Sequence, residues 1–449
     1  MQITSTRKKE IMNLTEGPIG KQLFRFALPL FLGSLIQQLY NTVDLIFVGQ
    51  LLGKEASAAV GASGLIVTCI LGFFTGLSVG VGVVIAKAVG ERDHHRLSRT
   101  IHTAAGMTIL FAALFTAAGL WLAPVFLTWM DTPADIMGDA YVYLRMYLCS
   151  LFSIVSYNIA SGILRALGNS SAPMRYQLFG GIANIFGNTL FIYVLPWGIK
   201  GAALATVCSQ TLAAALTVLH LWKMEGNARF RFRKIRLEFD ICKQILSIGI
   251  PAAVQSIVIT LSNLIVQANI NRLGVDSIAA FTAYFKVENF IYLPIMAFGS
   301  ACSTFTSQNY GAMLYQRVKK GTRTTLILGI TTTLITSWSI LIFAEQMFGL
   351  FATEQEVISL GTKIAWTTYP FYFVYVFLEV YASTIRGAGK ALHTMIIIVV
   401  NMCLVRTAVL MIMMHLHPTV TGVAVIYPLT WICTAFCLLL YYKSDRWMQ

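Results

Sequence analysis

An aspartate, Asp44, lies near the end of the apolar run LPLFLGSLIQQLYNTVDLIFVGQLL, and two asparagines, Asn184 and Asn188, lie four apart in a second run, NIFGNTLFIYVLPWG. A carboxylate beside amide oxygens is a hard donor set: it can coordinate Na⁺, or hold an acid's proton in a hydrogen-bond network. As a helix, about 25 residues rise roughly 37 Å, enough to cross a bilayer with some tilt. Asp44 therefore falls inside the membrane, where a lone carboxylate costs at least a few kcal/mol and marks a functional site by default. Ser34, Gln37, Asn41 and Asp44 step by three and four residues and share one helix face. Such a stripe reads as the wall of a wet cavity inside a helical bundle. Asn41 joins Asp44, Asn184 and Asn188 in the cation-coupling set, and Gln37 and Tyr40 join the cavity wall. In the competing structural reading, Arg145 neutralises Asp44 and the amides only bond neighbouring helices.

The second half of the chain carries a different set. Val266 stands where an internal repeat would duplicate Asp44, and Asn263, Gln267 and Asn271 follow at four-residue steps. Lys286 and Glu288 are two apart, hence on different faces of one helix, and do not pair with each other. Asn263, Gln267, Lys286 and Glu288 are candidates for a substrate cavity. A buried pair of Glu288 with Arg406 is the structural alternative. Glu379 lies near a helix end, where pairing with Arg386 or snorkelling to water accounts for it.

The 449 residues are 57% hydrophobic and 12% charged. Soluble proteins carry about twice that charge fraction. The net charge of +14 sits in short clusters between apolar spans, as topology signals rather than a nucleic-acid face. Seven of the eight cysteines fall in apolar spans and no CxxC occurs, which argues against a disulfide or zinc framework. Asp93-His94-His95-Arg96 is similar to the cysteine-rich acyltransferase signature, but Arg96 stands where the nucleophile would be. There is no Walker loop, so uphill transport must draw on an ion gradient. No cofactor is expected beyond the coupling ion, H⁺ or Na⁺, the latter with a candidate site at Asp44. No convergent acid, base or metal groups mark an enzyme.

The elements that position these residues are apolar runs of helix-spanning length: 24–51, 58–86, 100–129, 138–163, 174–196, 201–222, 245–273, 279–308, 322–348, 357–385, 391–415 and 418–442. Twelve spans put both termini in the cytoplasm, the polar start MQITSTRKKE included, as a retained end. Arginines and lysines then cluster on the cytoplasmic connections, among them Arg92, Arg96, Arg99, Arg229 to Arg236 and Arg317 to Arg323. The basic segment 223–243 divides the chain into lobes at 1–222 and 244–449 and is expected to be a flexible cytoplasmic linker. Sliding one half along the other by about 221 residues sets Pro29 on Pro251 with a one-residue slip, Leu52-Gly53 on Leu273-Gly274, Arg165 on Arg386 and Gly168 on Gly389. Each half is a six-helix unit, and an even count gives the copies one orientation, with a pseudo-twofold along the membrane normal. Two such halves suit rocking about a central cavity, the geometry of alternating access.

The chain resembles the multidrug and toxic compound extrusion (MATE) family of antiporters over nearly its whole length. The resemblance rests on Pro29 followed by Asp44, Gly49 and Leu52-Gly53; on Gly80 to Gly90; on Tyr143-Leu144-Arg145; on Arg165 to Asn169; on Gly198 to Thr206; and on Ser307 to Ala312. It implies an all-α polytopic membrane protein of twelve helices in two lobes. That protein would export organic cations or other amphipathic compounds in exchange for H⁺ or Na⁺ across a bacterial plasma membrane, one chain sufficing for the fold. It also implies that Asp44 takes part in cation coupling and that Pro29 marks a bend in the first helix. The family's fifth span commonly carries an Asn and then an Asp four residues on; here the second position is Asn188, so a two-carboxylate site is missing unless Glu288 substitutes. The alternative is a flippase or exporter of a lipid-linked or anionic metabolite, suggested by Lys286 and Arg406.

Overall fold

In a computed structural model that describes residues 12–448, no strand occurs and helices follow one another through short turns. The polar start expected in the cytoplasm, residues 1–10, lies outside the described residues. The first half contains α1 (Ile19–Phe47), α2 (Gly53–Gly90), α3 (His94–Trp129), α4 (Ala134–Cys149), α5 (Leu151–Ala166), α6 (Ser171–Asn188) and α7 (Gly198–Trp222). The second contains α8 (Phe239–Asn271), α9 (Val275–Gly311), α10 (Tyr315–Ile342), the short α11 (Ala344–Gly349), α12 (Gln355–Thr368), α13 (Tyr372–Gly387), α14 (Ala391–Val399), α15 (Arg406–Leu416) and α16 (Val420–Lys443).

Among the described residues, 10 helical stretches are long and apolar enough to cross a bilayer, and α4 with α5, meeting at 44°, makes 11. Span 357–385 is built in three pieces: α12, a 3₁₀ turn Tyr369–Phe371 and α13. Pro370 explains the interruption, since it removes a backbone donor and disfavours helix at the residue before it. Every one of the twelve predicted spans is thus helical, three of them interrupted: α4–α5, α10–α11 at Phe343, and α12–α13. Large apolar side chains such as Trp121, Trp129, Phe186 and Leu404 stay exposed along the rods, the signature of a surface that hydrocarbon rather than water covers.

The internal repeat reappears in backbone geometry. Gly53 and Gly274, which the repeat superimposes, have φ of 86° and 99°; Gly168 and Gly389 have φ of 91° and 95°. An L side chain is disfavoured in that region, so the same two turns demand glycine twice. Within each half a serine hydroxyl also ties the corresponding helices. Ser78 of α2 donates to the Asn158 carbonyl of α5 at 2.7 Å, and Ser307 of α9 donates to the Gly387 carbonyl of α13 at 2.8 Å.

The chain forms two compact units. One comprises the described residues up to Asn13 together with Leu32–Ala253; the other comprises Leu14–Phe31 and the described residues from Val254 onward. Membership thus changes inside α1, two residues after Pro29, and inside α8, two residues after Pro251. The basic segment 223–243 belongs wholly to the first unit and is packed rather than loose. Phe230 is buried and stacks on His102 of α3, with ring centroids 5.8 Å apart. The Arg231 N–H donates to His102 Nε2 at 3.0 Å, and Glu238 bonds both Arg99 of α3 and Arg236. Expected as a flexible tie, the segment is pinned because its alternating aromatics find an apolar face on α3 while its charges stay outside.

Asp93 accepts from the Arg96 N–H at 2.9 Å and caps α3, and Arg96 pairs with Glu91 at 2.6 Å. The acyltransferase-like string is therefore a helix start.

Two measurements check this description. Gly389→Ala meets no neighbouring atom yet must hold φ of 95°, whereas Gly138 sits in open space on α4 with ordinary helical geometry. Gly389→Ala should lower stability by about 1–2 kcal/mol in a thermal melt of the detergent-solubilised protein, and Gly138→Ala should not. Arg99 holds the Glu238 carboxyl below its usual range. A depressed carboxyl contributes fully above its unfolded value, about 4.3, and loses that contribution as pH falls through the lower folded value. Glu238→Gln should therefore mimic acid at neutral pH, speeding tryptic cleavage at Arg233 and Lys234 by about two- to fivefold.

Candidate functional site

In the first unit, the part of α1 beyond Leu32 meets α6 and α7. Asn188, fully buried at the end of α6, donates through Nδ2 to Asp44 Oδ1 at 2.7 Å and to Asn184 Oδ1 at 3.2 Å. Two other atoms of this trio, Asn188 Oδ1 and Asn184 Nδ2, are buried and find no partner among the described residues. An unmet buried acceptor costs about 1–3 kcal/mol. Either a cation or a proton on the carboxyl would meet it: Na⁺ accepts two kinds of oxygen at once, and a neutral Asp44 gains an O–H to donate. The donor set fits both ions.

Asp44 has no ion pair among the described residues. Arg145 is exposed and lies over the Tyr141 ring at 5.3 Å. One turn before Asp44, Tyr40 is buried and its hydroxyl accepts from Gln210 Nε2 of α7 at 2.9 Å. Gln37, two turns before Asp44 on nearly the same face, and Asn41 are both exposed on α1. The structure thus gathers Asp44, Asn184 and Asn188, with Tyr40 a turn away, and does not bring Asn41 or Gln37 to them. Tyr40 and Asp44 are an i, i+4 pair that faces α6 and α7, and Asn41 is turned about 60° from Asp44 around the helix.

Sequence reasoning did not single out Gln177 or Gln210. Gln177 is buried on α6 with its Oε1 unpartnered among the described residues. Its spacing of seven and then four to Asn184 and Asn188 would have placed it on the same face. Gln210 lacked any such signal. A π turn, Val48–Leu52, follows α1 four residues after Asp44, and another, Thr189–Val194, follows Asn188 directly. Such turns are rare and recur at functional positions.

The second unit answers its own charges internally. Glu288 Oε1 accepts from the hydroxyls of Tyr284, at 3.2 Å, and of Tyr372. Arg406 is buried, donates to Asn263 Oδ1 at 3.3 Å, Met402 Sδ at 2.7 Å and Thr430 Oγ1 at 3.4 Å, and lies 5.1 Å from the Tyr427 ring centroid. No ion pair joins Glu288 to Arg406 among the described residues; phenols and an amide take that place. Lys286 is exposed over the Phe351 ring at 5.6 Å, and Gln267 donates to Asn271 at 2.9 Å on an exposed face. Glu379 pairs with Arg386 at 3.1 Å and accepts from Ser383 at 2.8 Å. The step that carries Asp44 onto Val266 also carries Asn184 onto Arg406, so the second copy has a fixed guanidinium where the first has an amide beside a free acid.

Comparison with known proteins agrees with this duplicated plan. A model of the MatE family matches the chain twice, at residues 29–190 and 251–412, the two matches starting on Pro29 and Pro251. The probable multidrug resistance protein YpnP of Bacillus subtilis is 28% identical over 442 residues, covering 97% of each chain. The FAD transporter of Shewanella oneidensis is 25% identical over 360 residues, 78% of each. Among solved structures, an outward-facing multidrug resistance MATE family transporter of the MOP superfamily superimposes with a TM-score of 0.91 at 23% identity, covering 96% of this chain and 97% of the other. The chain belongs to the MatE family, and it is a multi-pass membrane transporter rather than an enzyme.

Proposed function

We propose that the protein exports amphipathic, cationic compounds in exchange for H⁺ or Na⁺ by alternating access, with Asp44 as the group that binds the coupling ion. The observation that carries this reading is an Asp44 carboxylate that, among the described residues, has no counter-charge and accepts a hydrogen bond from Asn188 beside an unmet buried acceptor on that same amide. Ion binding neutralises the carboxylate and weakens the charge-assisted bond from Asn188, since such bonds are roughly twice as strong as neutral ones. The α1–α6 tie then differs between loaded and empty protein, which is the differential interaction needed to bias a two-state equilibrium. A cationic substrate and the coupling ion compete for the same negative charge, and that competition makes exchange obligatory. The multidrug names of relatives such as YpnP support an amphipathic substrate range.

A second reading, export of an anionic metabolite, is supported by similarity to the FAD transporter. Arg406 is the cation that would serve it: its two terminal nitrogens are engaged with Asn263, Met402 and Thr430, while its Nε is buried without a partner among the described residues.

Proteoliposomes loaded with a fluorescent organic cation, under an imposed pH or Na⁺ gradient, decide between them. Wild-type protein should show gradient-driven efflux with one of the two ions, and Asp44→Asn should abolish it while leaving the protein folded. Efflux of FAD without efflux of any cation would replace the first reading by the second. Asn188→Ala should retain transport, with opposite effects for the two ions. It removes an oxygen ligand and should raise the half-saturating Na⁺ concentration about tenfold, on the order of 1.4 kcal/mol. It also removes the donor that favours the ionised carboxylate and should lower the half-saturating H⁺ concentration.

A further inference from the structure

Away from Asp44, the first unit carries two adjoining cavities of opposite character. One, about 390 Å³, lies between the start of α3 and the packed basic segment. His95, Ser98, Arg99 and His102 step along one face of α3, and residues 233–236 close the other side. The second, about 320 Å³, is an apolar groove walled by α3, α5 and α7, with Ile109, Phe152, Ala215, Val218 and Phe232 among its lining. Ile235 lines both, so a basic chamber opens beside a greasy channel with one side chain at the join.

The charges are unevenly spoken for. Arg99 and Arg236 share Glu238, with Asp93 and Asp240 in electrostatic range of Arg99. His102 donates through Nδ1 to the Ser98 carbonyl at 2.6 Å and accepts at Nε2, so it is held as a neutral ring. Arg233 and Lys234 are exposed, and neither side chain meets an acid among the described residues. They add to the partial positive charge that the first turn of α3 presents. From Ile101 to Ile109 the groove follows α3 for about 12 Å, comparable with the roughly 15 Å hydrocarbon depth of one leaflet.

We propose that these two cavities together bind one anionic phospholipid, its phosphate seated between α3 and Arg233–Lys234 and its acyl chains lying in the α3–α5–α7 groove. Charge complementarity selects the head, because basic pockets beside membrane helices attract anionic head groups. Apolar burial selects the tails, which excludes a free nucleotide or sugar phosphate as the fitting occupant. Because the segment is held to α3 by Phe230 and Glu238, a head group bound between the two would add a further tie between the segment and α3.

The test is native mass spectrometry of the full chain extracted with phosphatidylglycerol and phosphatidylcholine in equal amounts. Wild type should retain one phosphatidylglycerol with a preference of about tenfold over phosphatidylcholine. Arg233→Gln with Lys234→Gln changes two exposed side chains of a single 3₁₀ turn, Phe232–Lys234, and should remove the preference while leaving phosphatidylcholine retention unchanged. Ala215→Trp, at an exposed groove position, should displace both lipids. Equal retention of the two lipids by wild type, or an unchanged preference in the Arg233/Lys234 variant, would overturn the proposal. So would inorganic phosphate binding to wild type with no lipid preference, which would make the chamber a soluble-anion site.

Discussion

A 2.7 Å hydrogen bond between Asn188 and Asp44 is the constraint around which the first unit is arranged. A carboxylate in a hydrocarbon slab needs water, a counter-charge or oriented dipoles. Asp44 has the last of these in short measure: one amide, itself shared with Asn184. That shortage suits a transporter. A salt bridge to Arg145 would have satisfied the acid permanently and left it indifferent to any ion. An acid supported by a single neutral donor stays responsive, and the buried helix ends that hold Asn184 and Asn188 in place bear the cost.

The second unit uses the same helical plan with the opposite electrostatic choice. Where repeat symmetry would place another acid it has Val266, and where it would place Asn184 it has Arg406, whose terminal nitrogens are occupied by Asn263, Thr430 and a thioether. Glu288 is quenched by two tyrosine hydroxyls inside an aromatic cluster in which Tyr284 stacks on Tyr369 at 5.3 Å and Tyr372 meets Trp431 at 4.6 Å. Duplication preserved what the backbone requires, the left-handed glycines, and left charge free to diverge. One acid without an ion pair among the described residues and one hydrogen-bonded cation result, the asymmetry on which the proposed single coupling site rests.

Apolar length, loop charge and paired glycines made the helices and their duplication legible from residue types alone, because each reflects a constraint that acts locally along the chain. The trio of Asp44, Asn184 and Asn188 was legible for a similar reason: intramembrane polarity is costly enough to stand out. Asn41 and Gln37 remain exposed on α1, because a stripe at three- and four-residue steps covers several turns and a broad arc, and only the packing of α6 and α7 decides which part of it is buried. The break at Pro370 had a local signal in the proline, whereas the 44° bend between α4 and α5 at Ser150 has none. The attachment of 223–243 to α3 was hidden for another reason. Arginines spaced between Phe230, Phe232 and Ile235 look like a solvated tether until a partner surface is present.

The π turns that follow Asp44 and Asn188 bear on how such rods can change course at all. Inside hydrocarbon a backbone amide has no water to fall back on, so a helix cannot bend by simply breaking a bond. A π turn holds one residue more than an α turn while keeping its amides bonded five residues back. Each amide at its edge can exchange a partner five residues away for one four away, and the extra residue then moves along the chain by one place. Val48–Leu52 and Thr189–Val194 therefore act like dislocations in a crystal. They supply a route by which the stretches bearing Asp44 and Asn188 can rotate by fractions of a turn with the number of backbone bonds conserved throughout.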